Sequence, residues 1–542
     1  MRSIPRHPLR AQMNYMTRIG DIVHANARRY PNRTSIIFRD KSYTWKETNE
    51  RVNSLAHALL DLGLKKEDRV GVISMNTGQY LEVPFATSKA GLICVPLNFR
   101  LSPEEYVTQI NNCGAKVLIV GTKFVETIMG IKDRIPNVEH FIGMADATGE
   151  NHGIEKDYDV LATSFPTSEP DVEVDENDIY MLMYTGGTTG LPKGAVYIHR
   201  TVFTWLLNCA IIERVTPSDV YMVTPPIFHL GVQFPYLVYW YLGCTTVVAE
   251  EFNPSNLLQM VEKYRITVTM LQGTMLNLIR ALPGIDNSDY DISSLRLLEY
   301  GAAPISRETL LWAKGHFKCS FHQIAGGTEA GMSVADLWPD EHVIEGTEKE
   351  LKRLASAGRE APNAWVRIVD TEGNEVPPGV VGEIASRSVN TMEQYWNKVE
   401  ENDQAFRHGW LHMGDMAYRD EDGYIYYVDR SKDMIISGGE NIFTLEVERT
   451  INAHPAVIES AVIGIPDNVW GESVHALVIL KQDYEPKPTP EEIILFCKDR
   501  LASYKKPKSV EFTDSFPRTA MGKLQKAVLR QKYWATRERG VN

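Results

Sequence analysis

The sequence contains few cysteines, and none of them are arranged in a way that would build a scaffold. There are six cysteines in 542 residues, and no two form a Cys-x-x-Cys pair. Disulfide-rich secreted domains and structural zinc sites need denser or more closely spaced thiols. The composition therefore excludes a disulfide scaffold, argues against a structural zinc site and predicts reduced, buried thiols in a cytoplasmic protein.

The sequence also lacks an excess of basic residues. Its 70 Asp and Glu residues outnumber its 57 Lys and Arg residues, which gives a net charge of −13. Proteins whose main partner is nucleic acid usually have the opposite balance, so we expect no nucleic-acid partner. The last stretch, Lys498–Asn542, is nevertheless basic, with twelve Lys or Arg against four Asp or Glu. It is typical either of a site for a phosphate-bearing ligand or of a solvated tail.

No apolar run is long and uninterrupted enough to predict a transmembrane helix. The stretch Val220–Ala249 contains no Asp, Glu, Lys or Arg. However, Pro225, Pro226 and Pro235 interrupt it, and a spanning helix needs about 20 consecutive apolar residues. We therefore predict a buried, aromatic-rich core segment. The first 17 residues hold two prolines and no apolar stretch, so we expect no secretory signal either.

Short apolar runs alternate with helical segments through most of the chain before Trp365. Arg69–Met75 and Ala115–Val120 indicate buried strands, and Gln79–Ala90 between them indicates a helix. The same alternation returns from Ile266 to His316. Strands separated by helices of about ten residues need crossover connections, which favour parallel sheets. The sequence thus predicts an α/β fold with two sheet-and-helix subdomains.

The periodicity changes near Trp365. Apolar and polar residues alternate in Trp365–Asp370 and again in Val381–Ser386, and Trp410–Val428 contains a hairpin turn. Such alternation is typical of antiparallel strands with one buried face. We therefore predict a small antiparallel β subdomain after the two sheet-and-helix subdomains.

A second, smaller domain is predicted at the C-terminal end. After Asp433, a helical pattern near Leu445–Ala453 is followed by strand patterns at Ile458–Ile463 and Val474–Leu480. We divide the chain into a large N-terminal domain, residues 1–431, and a smaller α+β C-terminal domain, residues 432–542.

The strongest local pattern is a glycine-rich decapeptide after an apolar strand. Ile179–Tyr184 has a strand pattern, and Thr185–Gly194 then holds four glycines, three threonines and Lys193. Glycines let a backbone approach a ligand closely, and N–H groups, hydroxyls and an ammonium suit anionic oxygens. The loop is not the common nucleotide P-loop, which needs Gly-Lys-Ser/Thr. We predict a phosphate-binding loop rather than a flexible surface loop.

This loop resembles the signature loop of the adenylate-forming acyl-activating enzymes, which include acyl-CoA synthetases, luciferases and peptide-synthetase adenylation domains. Six further segments resemble motifs of that family in the same order: Tyr300–Pro304, Gly326–Glu329, Trp410–Asp415, Asp429–Asp433, Gly438–Asn441 and Pro517–Lys523. The resemblance extends from about Ile19 to Arg530 and favours the AMP-forming acyl-CoA synthetase branch. It implies that the N-terminal domain binds ATP and the acyl group and that the C-terminal domain is mobile and carries the catalytic lysine.

The resemblance also implies a role for individual residues. Thirteen residues would bind the nucleotide: Thr185, Gly186, Gly187, Thr189, Gly190, Lys193, Gly301, Ala302, Ala303, Gly326, Thr328, Asp415 and Arg430. Glu329 and Thr188 would share a Mg²⁺ ion with ATP, and these two residues with Lys523 and His229 would act in catalysis. Three residues would meet the pantetheine arm of coenzyme A, namely Gly438, Gly439 and Trp470, and Lys432 would be the hinge.

The implied reaction has two halves that use one site in turn. A carboxylate attacks the α-phosphate of ATP and expels pyrophosphate, and a thiol then attacks the acyl carbon and expels AMP. The first half brings two anions together, so cations and oriented dipoles must stabilise it. A lysine ammonium such as that of Lys523 suits this task as a compact point charge.

The acyl site is predicted to be apolar. Four residues would line it: His229, which belongs to a segment that resembles the family's pocket motif, Phe234 of the bulky apolar run, and Ala325 and Gly327 of a facing small-residue loop. Phe228–Gly231 offers no acid to hold an amino group, which argues against an amino acid substrate, and the bulky run up to Tyr241 either lines a large pocket or fills the core. We expect a fatty, aryl or alicyclic carboxylic acid. Ala325 departs from the family, which usually has an adenine-stacking aromatic there, and a contact of about 1 kcal/mol is then missing or supplied elsewhere.

Two other functions stay open at this point. Besides a CoA ligase, the chain could be an adenylate-forming enzyme that loads a carrier protein or uses another acceptor. It could also be a non-catalytic nucleotide-binding protein, because Ala325 stands where the family usually has an aromatic residue. The presence of Lys523, Glu329 and Asp415 argues against the last. A homodimer and a peripheral membrane contact are both compatible with the sequence.

Overall fold

The computed structural model describes residues 18–145, 153–185, 193–287, 290–301, 305–518 and 524–534. Its strands, in chain order, are β1 Thr34–Phe38, β2 Lys41–Thr44, β3 Arg69–Ile73, β4 Ile93–Pro96, β5 Ala115–Gly121, β6 His140–Met144, β7 Lys156–Asp157, β8 Ile179–Tyr184, β9 Gly194–Ile198, β10 Val220–Val223, β11 Thr245–Val248, β12 Val268–Met270, β13 Leu297–Gly301, β14 Ser320–Ala325, β15 Ala335–Leu337, β16 Arg359–Glu360, β17 Ala364–Val369, β18 Gly382–Ser388, β19 Phe406–Arg407, β20 Trp410–Arg419, β21 Ile425–Arg430, β22 Ile435–Ser437, β23 Glu440–Ile442, β24 Val457–Asp467, β25 Gly471–Leu480 and β26 Ser509–Phe512.

The α-helices alternate with these strands in the first part of the chain, as the apolar pattern predicts. They are α1 Asp21–Arg29, α2 Trp45–Asp61, α3 Gly78–Lys89, α4 Pro103–Cys113, α5 Val125–Gly130, α6 Tyr158–Ser164, α7 His199–Ile212, α8 Leu230–Gln233, α9 Pro235–Tyr241, α10 Pro254–Tyr264, α11 Gly273–Arg280, α12 Arg307–Phe317, α13 Glu348–Arg353, α14 Val399–Ala405, α15 Thr444–Asn452, α16 Pro490–Lys498 and α17 Lys526–Trp534.

Local sequence fixes the ends of several helices. Helix α4 is a clear case: Ser102 and Glu105 form a reciprocal capping box at its start, Pro103 occupies the first turn, and Gly114 ends it with φ of 63°. Pro103 needs no N–H there, and glycine adopts the left-handed conformation without steric cost.

Two large sheets confirm the predicted pair of sheet-and-helix subdomains. The seven-stranded sheet has the order β7-β6-β5-β3-β4-β8-β9, and β9 alone runs antiparallel to its neighbour. The nine-stranded sheet has the order β16-β15-β14-β13-β12-β10-β11-β1-β2, with parallel pairs from β1 to β14 and antiparallel strands at both edges. Parallel sheets of this kind place ligands at the carboxyl ends of their strands.

Two smaller sheets follow, and they confirm the predicted change to antiparallel structure. In the first, β18, β19 and β21 each pair antiparallel with β20. In the second, β22, β23, β24 and β25 form antiparallel pairs, and β26 adds to β25 in parallel. Buried side chains of α15 and α16 pack on the second sheet, which makes the α+β C-terminal domain that the sequence predicts.

The described chain divides into two compact units. The first contains the described residues up to 364 together with residues 388–403, and the second contains residues 365–387 and the described residues from 404 onward. The second unit thus joins the small antiparallel sheet to the C-terminal domain. The predicted boundary between residues 431 and 432 lies inside this unit and stays a prediction about where the chain pivots.

The uncharged stretch from Val220 to Ala249 is buried core, as predicted. It forms two strands and two short helices, and Pro235 occupies the first turn of α9. Over the described ranges, no helix combines the length and the apolar character needed to cross a membrane. Five of the six cysteines are buried and Cys319 is half-buried, and none is in a disulfide, in agreement with the predicted reduced thiols.

Candidate active site

Neighbouring strands hold the two ends of the predicted phosphate loop together. Strands β8 and β9 pair antiparallel, and the backbone N–H of Thr185 donates a hydrogen bond of 2.9 Å to the carbonyl of Lys193. The loop therefore starts and ends at the edge of the seven-stranded sheet. Five residues predicted in this loop lie outside the described residues: Gly186, Gly187, Thr188, Thr189 and Gly190.

A short segment, residues 392–396, adds to β9 at the same edge. It makes three backbone hydrogen bonds of 2.7–2.9 Å with the start of β9: Glu393 N–H to Val196 O, Val196 N–H to Gln394 O and Trp396 N–H to Gly194 O. This pairing brings Tyr395 to Lys193, whose Nζ lies 5.0 Å from the centroid of the tyrosine ring. An ammonium over an aromatic face is held by the ring quadrupole.

Glu329 reaches the same tyrosine from the nine-stranded sheet. It follows β14 in a short 3₁₀ turn, Thr328–Ala330. The hydroxyl of Tyr395 donates a hydrogen bond of 2.8 Å to Oε1 of Glu329, and the N–H of Met392 donates one of 3.0 Å to the carbonyl of Glu329. Tyr395 therefore contacts both Lys193 and Glu329, two residues that the sequence predicts in one site.

A second tyrosine fixes the residue before Glu329. Tyr197 on β9 is fully buried, and its hydroxyl donates to the carbonyl of Thr328. Burial, and then the neighbouring charge of Glu329, raise the pKa of both Tyr197 and Tyr395. Both phenols therefore stay protonated and act as donors throughout the physiological pH range.

Glycine is required after the Glu329 turn. Gly331 has φ of +70°, and a Cβ at this position would lie 1.9 Å from the carbonyl oxygen of Asn390. Its substitution would therefore strain the backbone and push away the chain that leads to Tyr395.

The residues around Glu329 fit a magnesium ion that is shared with a phosphate ligand. Among the residues that the structure describes, no group of three or more His, Cys, Asp or Glu side chains is arranged as a metal cage. Mg²⁺ typically uses one or two carboxylates together with phosphate oxygens and waters, so a single carboxylate suffices. A carboxylate has about four lone-pair sites, and the bond from Tyr395 uses one of them. Thr188, the second predicted ligand, lies outside the described residues.

The two other predicted nucleotide-contacting loops begin at the carboxyl ends of β13 and β14. Gly301 pairs with Ile324, and a Cβ on Gly301 would lie 2.3 Å from the carbonyl oxygen of Ile324. A Cβ on Gly326 would lie 2.2 Å from the carbonyl oxygen of Met332. These glycines therefore allow the two loops to pack against neighbouring backbone. Two further predicted residues, Ala302 and Ala303, lie outside the described residues.

Ala325 and Gly327 flank Gly326 at this strand end. Ala325 is buried and pairs with Ala335 of the antiparallel strand β15. The carbonyl of Gly327 accepts hydrogen bonds of 3.2 and 3.1 Å from the N–H groups of Ala330 and Met332. The turn that carries Glu329 is thus closed on both sides by backbone bonds.

The two predicted acyl-site residues on the uncharged stretch have different surroundings. His229 is half-buried at the start of α8, and the buried Asn76 fixes the preceding loop through hydrogen bonds to Pro225 and Ile227. Phe234 is fully buried, with its ring edge-on to Tyr197 at 5.1 Å between centroids. Phe234 therefore packs directly behind the tyrosine that fixes Thr328.

Three other aromatics of this stretch serve the core and not a pocket. Tyr236, Tyr239 and Trp240 are buried. Trp240 stacks on Phe85 at 4.8 Å, and the hydroxyl of Tyr239 lies within hydrogen-bond distance of Glu213 (2.7 Å) and of Glu299 (3.1 Å). Of the two interpretations that the sequence left open for these three residues, the structure supports core packing.

The second unit contains the predicted ribose-binding pair. Asp415 on β20 and Arg430 on β21 are directly opposed in the antiparallel ladder, with Arg430 Nε 3.1 Å from Asp415 Oδ1. Gly414 has φ of +74°, and its carbonyl accepts a hydrogen bond of 2.9 Å from Ser431 N–H. Adjacent strands therefore bring together two residues that the resemblance assigns to one ligand group.

The predicted pantetheine-contacting residues also lie together in the second unit. Gly438 and Gly439 form the turn between β22 and β23, both with positive φ (62° and 87°), as a two-residue hairpin of this type requires. Gly438 N–H donates a hydrogen bond of 2.8 Å to the carbonyl of Trp470, and Lys508 Nζ lies 5.0 Å from the ring of Trp470. Half of the Trp470 surface is exposed, which leaves the ring available to a ligand.

The predicted hinge lies in a tight turn. The N–H groups of Asp433 and Met434 both donate to the carbonyl of Arg430, at 2.9 and 3.1 Å. Burial, and then the charge of Arg430, lower the pKa of Lys432. The predicted catalytic lysine, Lys523, lies outside the described residues.

Sequence reasoning missed Tyr395. No periodicity or glycine pattern marks residues 392–396, and the importance of Tyr395 follows from two contacts with residues far away in the chain, Lys193 and Glu329. A signal of this kind is available only after the two large sheets have been placed in one unit.

Comparisons with known proteins identify the family of the chain. The sequence matches the AMP-binding enzyme family over residues 23–396 and the C-terminal domain of AMP-binding enzymes over residues 446–523. The chain is 36% identical over 518 residues to a feruloyl-CoA synthase of Amycolatopsis sp, covering 94% of this chain and 97% of that protein. It is 31% identical over 525 residues to the fatty acid–[acyl-carrier-protein] ligase ScoC of Streptomyces coeruleorubidus, covering 95% and 96%.

Solved structures show the same architecture. ATP-bound MatB from Rhodopseudomonas palustris superimposes with a TM-score of 0.86 at 25% identity, covering 95% of this chain and 99% of that one. The anthranilate CoA ligase AuaEII in complex with anthranoyl-AMP superimposes with a TM-score of 0.85 at 27% identity, covering 96% and 98%. These matches extend along nearly the whole sequence, and the chain therefore belongs to the AMP-binding enzyme family.

Proposed function

We propose that the chain is an ATP-dependent, AMP-forming carboxylic acid–CoA ligase. In its first half-reaction, a carboxylate attacks the α-phosphate of ATP and pyrophosphate leaves. In its second, the thiol of coenzyme A attacks the acyl carbon and AMP leaves. The observation that carries the proposal is that Lys193 and Glu329 meet on one tyrosine, Tyr395, at the base of the predicted phosphate loop. An ammonium beside a metal-competent carboxylate suits a magnesium–polyphosphate ligand.

Cationic side chains would make the first half-reaction possible. Lys193 would neutralise phosphate oxygens from the base of the loop, and Lys523 would bridge the attacking carboxylate and the α-phosphate. Glu329 and Thr188 would hold Mg²⁺, which when bound supplies charge neutralisation to the phosphates.

The second unit would bind the nucleoside. Asp415 has two carboxylate oxygens that can accept hydrogen bonds from both ribose hydroxyls, and the contact with Arg430 opposite it orients that carboxylate. The other nucleotide contacts would come from the glycine-rich loops that start at Gly301 and Gly326, where close backbone packing is already required.

We propose an apolar acid as the substrate, in the class of fatty, aryl or alicyclic acids. Phe234 is apolar and lies behind Tyr197, and Phe228–Gly231 offers no acidic side chain to hold an amino group. The names of two relatives support this class, because one is a feruloyl-CoA synthase and another is a fatty acid–[acyl-carrier-protein] ligase.

Coenzyme A is the proposed acceptor. Gly438 and Gly439 would let the pantetheine arm pass close to the backbone, and the exposed ring of Trp470 would line its path. Lys432 would be the pivot of a domain rotation between the two half-reactions. Lys523 would face the active site during adenylation, and the glycine turn would face it during thioester formation. We place the enzyme in the cytoplasm, where ATP, coenzyme A and reduced thiols occur together.

A carrier protein is the second candidate acceptor. The relative ScoC, which matches nearly the whole chain, is named as an acyl-carrier-protein ligase. With a carrier protein as the acceptor, the adenylation half-reaction of this chain would use the same residues, and only the attacking thiol would differ.

One assay separates these functions. Pyrophosphate release is measured with ATP, Mg²⁺ and a panel of fatty, aryl and alicyclic acids, and AMP release is then measured with and without coenzyme A. We expect pyrophosphate release with at least one acid and AMP release that depends on coenzyme A. Turnover that needs a carrier protein instead would favour the second candidate, and a protein that binds ATP but releases no pyrophosphate with any acid would be a non-catalytic nucleotide binder.

A further inference from the structure

Hydrogen bonds within its own segment and to β9 hold Tyr395 in place, independently of its contacts with Lys193 and Glu329. Its N–H donates a hydrogen bond of 2.6 Å to the side-chain oxygen of Asn402, and the Asn402 amide donates one of 3.0 Å back to the Tyr395 carbonyl. The neighbouring residues 394 and 396 are fixed to β9 by backbone bonds. Tyr395 thus belongs to a fixed edge segment, and 8% of its surface is exposed.

The hydroxyl of Tyr395 fixes the orientation of the Glu329 carboxylate. The bond of 2.8 Å to Oε1 restricts rotation of the carboxylate about its last torsion. The Glu329 main chain is itself bonded to Met392, three residues before the tyrosine. One short segment therefore holds both the backbone and the side chain of the predicted metal-binding glutamate.

The ring of Tyr395 supports the positive charge of the site. Lys193 Nζ lies 5.0 Å from the ring centroid, and the ring is fixed by the same bonds that fix its hydroxyl. A hydroxyl that holds an anion and a ring that holds a cation are thus combined in one side chain.

We propose that Tyr395 is a positioning residue for metal-bound ATP: its hydroxyl presets Glu329 for the divalent ion and its ring presets Lys193 for the phosphates. The proposal rests on the proposed function, because it assumes that Glu329 binds the metal of a nucleotide substrate. Partners that orient a metal ligand usually change metal affinity about 10- to 100-fold when they are removed.

Tyr395→Phe tests the hydroxyl alone, because it keeps the ring under Lys193. The full-length protein is titrated with Mn²⁺ in the presence of α,β-methylene-ATP, and free Mn²⁺ is followed by electron paramagnetic resonance. AMP binding without divalent metal is measured by calorimetry on the same samples. We expect Tyr395→Phe to weaken Mn²⁺ binding in the nucleotide complex at least about tenfold and to leave metal-free AMP binding within about twofold.

Tyr158→Phe is the matched control. Its hydroxyl donates to the carboxylate of Glu82 at 2.9 Å, so this variant also removes a buried tyrosine–glutamate bond, but one between α6 and α3. We expect unchanged Mn²⁺ and AMP affinities. Tyr395→Leu, which removes the ring as well, should weaken metal-free α,β-methylene-ATP binding further than Tyr395→Phe does.

The outcomes are distinguishable. An unchanged Mn²⁺ affinity in Tyr395→Phe overturns the proposal, and so does an equal loss of metal-free AMP binding, since that would show a structural defect. If the wild-type protein binds neither the nucleotide nor the metal, the proposed function fails and the positioning role fails with it.

Discussion

Asp429 accepts two hydrogen bonds from Thr444, one from its backbone N–H and one of 2.8 Å from its hydroxyl. Lys432, the predicted hinge, lies between these two residues in the chain. Burial raises the pKa of Asp429 even though Lys526 is near, and Lys526 Nζ donates to the Thr444 hydroxyl at 2.6 Å. These bonds join the chain on the two sides of the predicted hinge, so a rotation about Lys432 would have to break them.

Thr444→Val should change the balance between the two half-reactions. The hydroxyl bond to a charged acceptor is worth about 1.5–3 kcal/mol, so its loss shifts the population of the two arrangements about tenfold or more. We expect the rates of adenylation and thioester formation to move in opposite directions. Thr444→Ser keeps the hydroxyl and should leave the ratio unchanged. Equal changes in both rates in the valine variant would show that Asp429 and Thr444 do not restrain a rotation.

Lys432→Pro should impair the second half-reaction much more than the first. Proline fixes φ near −65° and restricts the residue before it, so the turn that now joins Arg430 to Met434 loses its freedom to rearrange. We expect adenylation within about tenfold of the wild type and thioester formation reduced at least ~100-fold, a barrier change of roughly 2.7 kcal/mol. Lys432→Ala, which keeps backbone freedom, is the control. Normal thioester formation in the proline variant would place the pivot elsewhere.

Lys523→Ala should abolish adenylation and largely preserve thioester formation from supplied acyl-adenylate. The charge is needed only while the carboxylate and the α-phosphate meet, and the loss of one oriented donor costs about 100- to 1000-fold in kcat. The two half-reactions are measured separately, by pyrophosphate release and by CoA-dependent release of AMP from the adenylate. Lys532→Ala is a matched control, because Lys532 lies on α17 and is paired with Glu511. Equal losses in both half-reactions would contradict the role of Lys523.

A buried histidine should make stability fall at high pH. His322 lies 2.9 Å from Glu213 and 3.4 Å from Asp336. Burial alone would lower its pKa, but the bonds and charges of Asp336 and Glu213 outweigh it and raise the pKa to about 10. Burial, and then the charge of Glu213, raise the pKa of the nearby Glu299 as well.

The sign follows from proton binding. The folded state holds the His322 proton more tightly than the unfolded chain, whose pKa is about 6.5, so the stabilisation is complete below that pH and is lost as the pH rises toward the folded-state value. Each unit in this window costs at most about 1.4 kcal/mol. Scanning calorimetry between pH 7 and 9 should show a steeper fall of Tm for the wild type than for His322→Gln. Parallel curves would mean that His322 does not titrate in this window.

The local elements were predictable from the sequence because their patterns are short-range. Strand β8 has the predicted bounds, and α3 and β5 agree with their predictions to within one residue at each end. Gly438 and Gly439 both adopt positive φ in the turn between β22 and β23, which glycine does without steric cost because it has no Cβ. The family motifs, which also lie in continuous segments, predicted the family and the proposed chemistry for the same reason.

Only the tertiary structure decided which distant residues meet. Tyr395 gains its importance from Lys193, which precedes β9, and Glu329, which follows β14 of the other large sheet, and nothing in its own segment indicates that contact. The burial of Tyr239 against Glu213 and Glu299 likewise depends on the order of strands in the nine-stranded sheet. The periodicity of a helix or strand indicates which of its faces is apolar. The crossover connections decide which other element packs against that face, and this pairing depends on the order of strands in the whole unit.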